Sequence, residues 1–126
     1  MQASISVLIY GLDSTLNRSR ELVLHHSGYQ VCATSVASEF NLLVCNRQVD
    51  LLLLSDSLSL EECVRAIALA SVWHPAIKSA VLASEEASYP AGVIYELVDP
   101  MTAPQSLVAA VSDLVGPAHA ESLQMQ

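Results

Sequence analysis

The stretch VDLLLLSDS, residues 49–57, decides how this chain is read. Side chains alternate sides along a strand. Four leucines in succession, at 51–54, are therefore apolar on both faces. A strand of that kind lies centrally in a parallel sheet with helices over both faces. The run stops at Ser55, Asp56 and Ser57. The polar end of a buried strand is where many α/β proteins place their functional sites.

Outward from this strand, extended and helical patterns alternate. ISVLIY (5–10) predicts a first strand, apolar at nearly every position. Asp13 or Ser14 can cap the helix that follows, through about His26, and Gly28 ends it. YQVCAT (29–34) predicts a second strand. Val36, Phe40, Leu43, Val44 and Arg47 then recur at helical spacing, with Arg47 reaching past the stripe to water. After the third strand, at 50–54, Ser59 and Glu62 form a capping box. Leu60, Cys63, Val64 and Ile67 give that helix its stripe, and Pro75 stops it.

KSAVLA (78–83) and VIYELV (93–98) predict the fourth and fifth strands. Thr102 and Gln105 make a second capping box, with Pro104 tolerated in the first turn. Leu107, Val108, Val111, Leu114 and Val115 give the last helix its apolar face, and Gly116-Pro117 stops it. Residues 1–116 read as one domain, and 117–126 as a flexible tail or the start of a linker. Five β-units joined by helix-length crossovers imply an α/β, doubly wound parallel sheet with helices on both faces.

Composition excludes several functions. Net charge is −8 with only 5 Lys and Arg, so nucleic acid and anionic membranes are not expected partners. A protein partner is expected instead. No apolar run reaches membrane-spanning length, and the N-terminal residues lack a signal-peptide pattern. The expected location is cytoplasmic. Cys32, Cys45 and Cys63 form no CxxC pair and sit in apolar segments, which predicts buried, reduced thiols. No Gly-rich phosphate loop follows any strand, which ranks a flavodoxin-like ligand pocket last. No cofactor and no metal are expected.

VLIYGLD, DLLLLSDSLS and YELVDP resemble, in order and spacing, three segments of the receiver domain of two-component response regulators. The likeness runs over about 4–116. It implies the flavodoxin-like fold of the chemotaxis regulators, with strand order 2-1-3-4-5. Carried over by position, the family's acidic pair falls on Gly11 and Leu12, and its phosphoacceptor aspartate on Ser55. The hydroxyl residue after the fourth strand falls on Ala83, beside Ser84. The switch aromatic falls on Glu96, beside Tyr95, and the lysine on Asp99, before Pro100.

The replaced residues remove the chemistry. Phosphoryl transfer to a carboxylate needs the nucleophile, magnesium and a neutralising cation. Gly11 and Leu12 offer no side-chain oxygen for magnesium. A serine without an adjacent base is a poor nucleophile, and no His is placed to serve Ser55. Asp99 reverses the charge that would hold a phosphoryl group. The reading is a degenerate pseudo-receiver, a non-enzymatic signalling module that works through protein–protein interaction. The alternative is a phosphorylatable regulator whose acidic site is displaced to Asp13, Asp56 and Ser84. Against it, Asp13 is read as a helix cap and Asp56 as solvated, and no cation is visible for the site.

A second departure follows the fourth strand. SEEASYPAG (84–92) is too short, and too broken by Pro90 and Gly92, for the family's fourth helix. That helix is expected to be a single turn or missing, leaving the fifth strand as a poorly covered edge. Homodimerisation through 84–115 is the corresponding expectation. His25-His26 is read as a dipole partner at a helix C-terminus. Trp73 is read as a helix lid or a partner anchor, and Glu85-Glu86 as a solvated turn. The sequence leaves the isomer of the Asp99-Pro100 bond open.

Overall fold

The computed structural model describes residues 5–83, 95–97 and 105–116. In chain order these form β1 (Ser6–Tyr10), α1 (Ser14–His26), β2 (Gln30–Thr34), α2 (Ala37–Asn46), β3 (Leu51–Ser55), α3 (Leu60–Trp73), β4 (Lys78–Ala83), β5 (Tyr95–Leu97) and α4 (Gln105–Val115). The sheet order is β2-β1-β3-β4-β5, with every pairing parallel. This is the doubly wound order that the resemblance implies. β3 stands at its centre, between β1 and β4.

Both faces of β3 are covered, as four consecutive leucines require. Leu51 and Leu53 join Val7, Ile9, Ala80 and Leu82 beneath Leu24 of α1 and Leu107 and Val111 of α4. Leu52 and Leu54 join Leu8, Tyr10 and Val81 beneath Phe40 and Val44 of α2 and Cys63, Ala66 and Ala70 of α3. All four leucines are 0% exposed. Burial of each contributes about 1.5–3 kcal/mol.

Local chemistry fixes the helix ends. The Asp13 Oδ1 atom accepts from the Leu16 N–H at 3.0 Å. At the other end of α1, Gly28 takes φ 99°, a region that favours glycine. There the Gly28 N–H donates to the His25 carbonyl (3.0 Å) and the Tyr29 N–H to the Leu24 carbonyl (3.2 Å). That pair of bonds is the Schellman closure. His25 and His26 lie in the last turn of α1, where positive charge is favoured. The Ser59–Glu62 capping box forms in both directions, at 3.1 Å each way.

Several expectations shift. The second and third strands run 30–34 and 51–55 rather than 29–34 and 50–54, so Ser55 belongs to β3 itself. The buried face of α3 is Cys63, Ala66 and Ala70, while Leu60 and Val64 are 44% and 45% exposed. Small side chains let α3 lie close on the projecting leucines of β3, and that rotates the larger ones outward. Val36 is the N-cap of α2 and is exposed, outside the apolar stripe. Of the three thiols only Cys63 is buried; Cys32 is half-buried and Cys45 exposed. Cys45 follows the buried Val44 on α2, so its side chain turns away from the sheet. Trp73, at the end of α3, is 51% exposed and so is no closed lid.

The expected shortening of the fourth helix, Ser84, Glu85-Glu86, the Asp99-Pro100 bond, Thr102 and the tail at 117–126 lie outside the described residues. Among the described residues no helix is long and apolar enough to cross a membrane.

Candidate functional site

The carboxyl ends of β1, β3 and β4 bring the carried-over positions together. Gly11 leaves β1, Ser55 ends β3 and Ala83 ends β4. Ser55 and Ala83 are each 1% exposed. Glu96 lies in β5 opposite Leu82 of β4. Ser84 and Asp99 fall outside the described residues. Ser55 shares the strand parity of Leu51 and Leu53, which places it on the α1 face.

Gly11 and Ser55 are packed backbone to side chain. A Cβ on Gly11 would run into the Ser55 Cβ. It would also lie 3.2 Å from Ser55 Oγ and 3.1 Å from Asn17 Oδ1. No acidic side chain fits at this position without moving the strand ends. The Ser55 hydroxyl is engaged as well. It accepts from the Ser57 N–H (3.2 Å) and lies 3.0 Å from Ser57 Oγ. Ser57 Oγ in turn accepts from the Leu12 N–H at 2.9 Å. This chain of bonds ties the β1–α1 loop to the β3–α3 loop. Leu12 itself is 53% exposed.

The displaced carboxylates are differently occupied. Asp13 is engaged as the cap of α1. Asp56 is exposed, and its backbone N–H donates to the Leu82 carbonyl at 3.2 Å. Among the described residues no group of three or more His, Cys, Asp or Glu side chains could hold a metal.

Two residues of this end escaped the sequence reading. Asn17 and Arg20 are only 3% and 5% exposed, one turn apart on α1. The Asn17 Nδ2 atom donates to the carbonyls of Gly11 (2.8 Å) and Thr34 (3.1 Å), while its Oδ1 atom has no partner. Arg20 supplies the positive charge that the sequence reading did not find. Burial lowers its pKa, and Asp56 and then Asp13 oppose that shift. Its NH1 nitrogen makes no hydrogen bond. The available signal was the spacing Asp13, Asn17, Arg20, Leu24, which puts two polar groups on the helix face that carries Leu24.

The resulting end of the sheet is closed by serine hydroxyls and a glycine, and among the described residues its buried cation, Arg20, stands on a helix. Solved structures place the fold. The chain superposes on a chemotaxis protein of Vibrio cholerae with TM-score 0.74 and 15% identity, over 90% of this chain and 100% of that one. The chain has the receiver-domain fold. An orphan response regulator of H. pylori matches with TM-score 0.69 and 22% identity, over 90% and 98% of the two chains. A response regulator of Burkholderia pseudomallei, carrying a phosphorylated aspartic acid, a calcium ion and citrate, matches with TM-score 0.68 and 16% identity, over 96% and 71%. No protein-family model and no curated protein matches the chain.

Proposed function

We propose that this receiver-fold chain is a two-component-type signalling module that works by phosphorylation-independent binding of a protein partner, without catalysis. One observation carries the reading. The phosphoacceptor position, Ser55, is 1% exposed, and its hydroxyl is engaged by Ser57. Gly11 lies against it, where the receiver family keeps an acidic residue. A phosphoryl group needs an exposed nucleophile, oxygen ligands for magnesium and an available cation. Among the described residues of this pocket, Gly11 and Ser55 supply neither of the first two at the positions carried over from the family. Its cation, Arg20, is buried and lies on α1 rather than at the position before Pro100.

The competing reading is a displaced site at Asp13 and Asp56, with Ser84. It is favoured by the influence that both carboxylates exert on Arg20, which gathers them near one buried cation. It is opposed by the engagement of Asp13 as a helix cap.

An amide NMR titration with magnesium and then beryllofluoride, the mimic of an acyl phosphate, separates the two. The proposal expects no shifts at Gly11, Ser55 or Ala83. Shifts clustered at Asp13 and Asp56 would overturn it in favour of the displaced site.

A further inference from the structure

β2 is an edge of the sheet, and the geometry points to a second copy of this chain as its partner. We propose that two copies join through antiparallel β2–β2 pairing about a two-fold axis at Cys32, making one continuous sheet.

The first observation is the direction of the β2 amides. A parallel strand bonds one neighbour through alternate residues. The Gln30 N–H donates to the Ile5 carbonyl (2.9 Å), and the Thr34 carbonyl accepts from Gly11 (3.3 Å). The even-numbered residues of β2 therefore face β1. Val31 and Ala33 turn their N–H and C=O groups outward to the open edge.

A second observation is that, among the described residues, this edge is unprotected. Edge strands usually carry a charge, a proline or a bulge that blocks pairing. β2 reads QVCAT, with neither charge nor proline, and it runs in unbroken register along β1. Beside it opens a cleft of about 640 Å³ lined by Gln30, Val31, Cys32, Leu43 and Arg47.

The third observation selects a second copy over another extended peptide. Antiparallel pairing centred on Cys32 sets Val31 against Ala33 of the second copy. Both residues then exchange bonds through the amides that β1 leaves free. The flanking helix is self-complementary under the same operation. Glu39, Leu43 and Arg47 follow one another at four-residue spacing along α2 and its C-cap. Glu39 accepts from the Thr34 hydroxyl at one end of β2. Arg47 lines the cleft toward the other end. Antiparallel copies bring Arg47 of each toward Glu39 of the other, with Leu43 between them. An isologous contact of this kind closes as a dimer.

The pairing also places Cys32 opposite its copy as a non-hydrogen-bonded pair. Such pairs stand about 4.5 Å apart at Cα, within the range a disulfide spans.

Sedimentation velocity across a concentration series, on the full chain, tests the proposal. A reversible dimer is expected, and Arg47→Glu, at an exposed position, weakens it by about tenfold. The double variant Glu39→Arg, Arg47→Glu restores it. Copper-catalysed air oxidation gives a covalent dimer that Cys32→Ser abolishes and Cys45→Ser leaves. A monomer at every concentration overturns the proposal. So does a dimer that ignores Arg47→Glu and Cys32→Ser, which would place the contact elsewhere, as at 84–115. Neither outcome bears on whether the strand-end pocket takes a phosphoryl group.

Discussion

Gly11 packs directly against Ser55, so close that a single methyl group on Gly11 has no room. The relationship explains how the two residues fit together. A glycine at the end of β1 lets β1 and β3 close over a serine, and the serine hydroxyl then turns to Ser57 rather than to a ligand. The pocket is filled by its own strand ends.

Gly11→Ala therefore costs stability, by about 1–3 kcal/mol, the range for an overpacked core. Gly11→Asp costs more, because it adds a carboxylate to a contact already too short for a methyl. Urea denaturation of the two variants beside wild type measures both. An acidic residue introduced at Gly11 alone is expected to leave magnesium unbound, which the same NMR titration reads.

The centre of the sheet was legible because Leu51–Leu54 admits one reading. A strand apolar on both faces needs a layer on each side, and the order of elements then follows. Helix faces were less legible where the residues touching the sheet are small. Ala66 and Ala70 carry little hydrophobic signal, so the stripe through Leu60 and Val64 looked stronger than the true face. At the strand ends, the closeness of Gly11 and Ser55 followed from their positions at the ends of neighbouring strands. The buried Asn17 and Arg20 could not be read that way, since a polar residue on an amphipathic helix is ordinarily assigned to water.

The capping box of α3 offers a local test. Ser59 and Glu62 satisfy each other's backbone amides at the helix start. Ser59→Ala is expected to lower stability by about 1 kcal/mol, and Ser59→Asp to retain most of it. Thermal or urea unfolding followed by circular dichroism reads the difference. An effect of Ser59→Ala near zero would mean that packing of α3 alone fixes where it begins.

Stability should fall in alkali through Cys63. Burial first, then Glu62 and Asp56, push its thiol from 9.0 up to about 11. The folded state therefore holds the proton more tightly than the unfolded chain. The stabilisation is full below pH 9 and is lost as pH rises toward 11, by at most about 2–3 kcal/mol. Burial also raises Tyr10, which adds to the loss at the upper end. Cys63→Ala should lower stability at neutral pH but flatten the slope between pH 9 and 11. A thiol reagent at neutral pH should label the exposed Cys45 in the folded protein, and Cys63 only on unfolding.

Asn17 and Arg20 predict opposite outcomes from two buried polar residues on one face of α1. Asn17 donates to two carbonyls, at Gly11 and Thr34, that have little water to replace it. Asn17→Leu keeps the volume and strands the Gly11 carbonyl, while the Thr34 carbonyl keeps only its bond from the Gly11 N–H at 3.3 Å, so the expected loss is about 1–3 kcal/mol. Arg20 is desolvated, and its NH1 nitrogen is unbonded. Its attraction to Asp56 and Asp13 works against that cost. Arg20→Met keeps the packing of the stem and removes the charge. Its stability is therefore expected within about 1 kcal/mol of wild type, on either side. Urea midpoints of the two variants decide the matter. A large loss in Arg20→Met would mean that the attraction to the two carboxylates exceeds the desolvation cost, making the arginine the resident cation that holds the strand ends together.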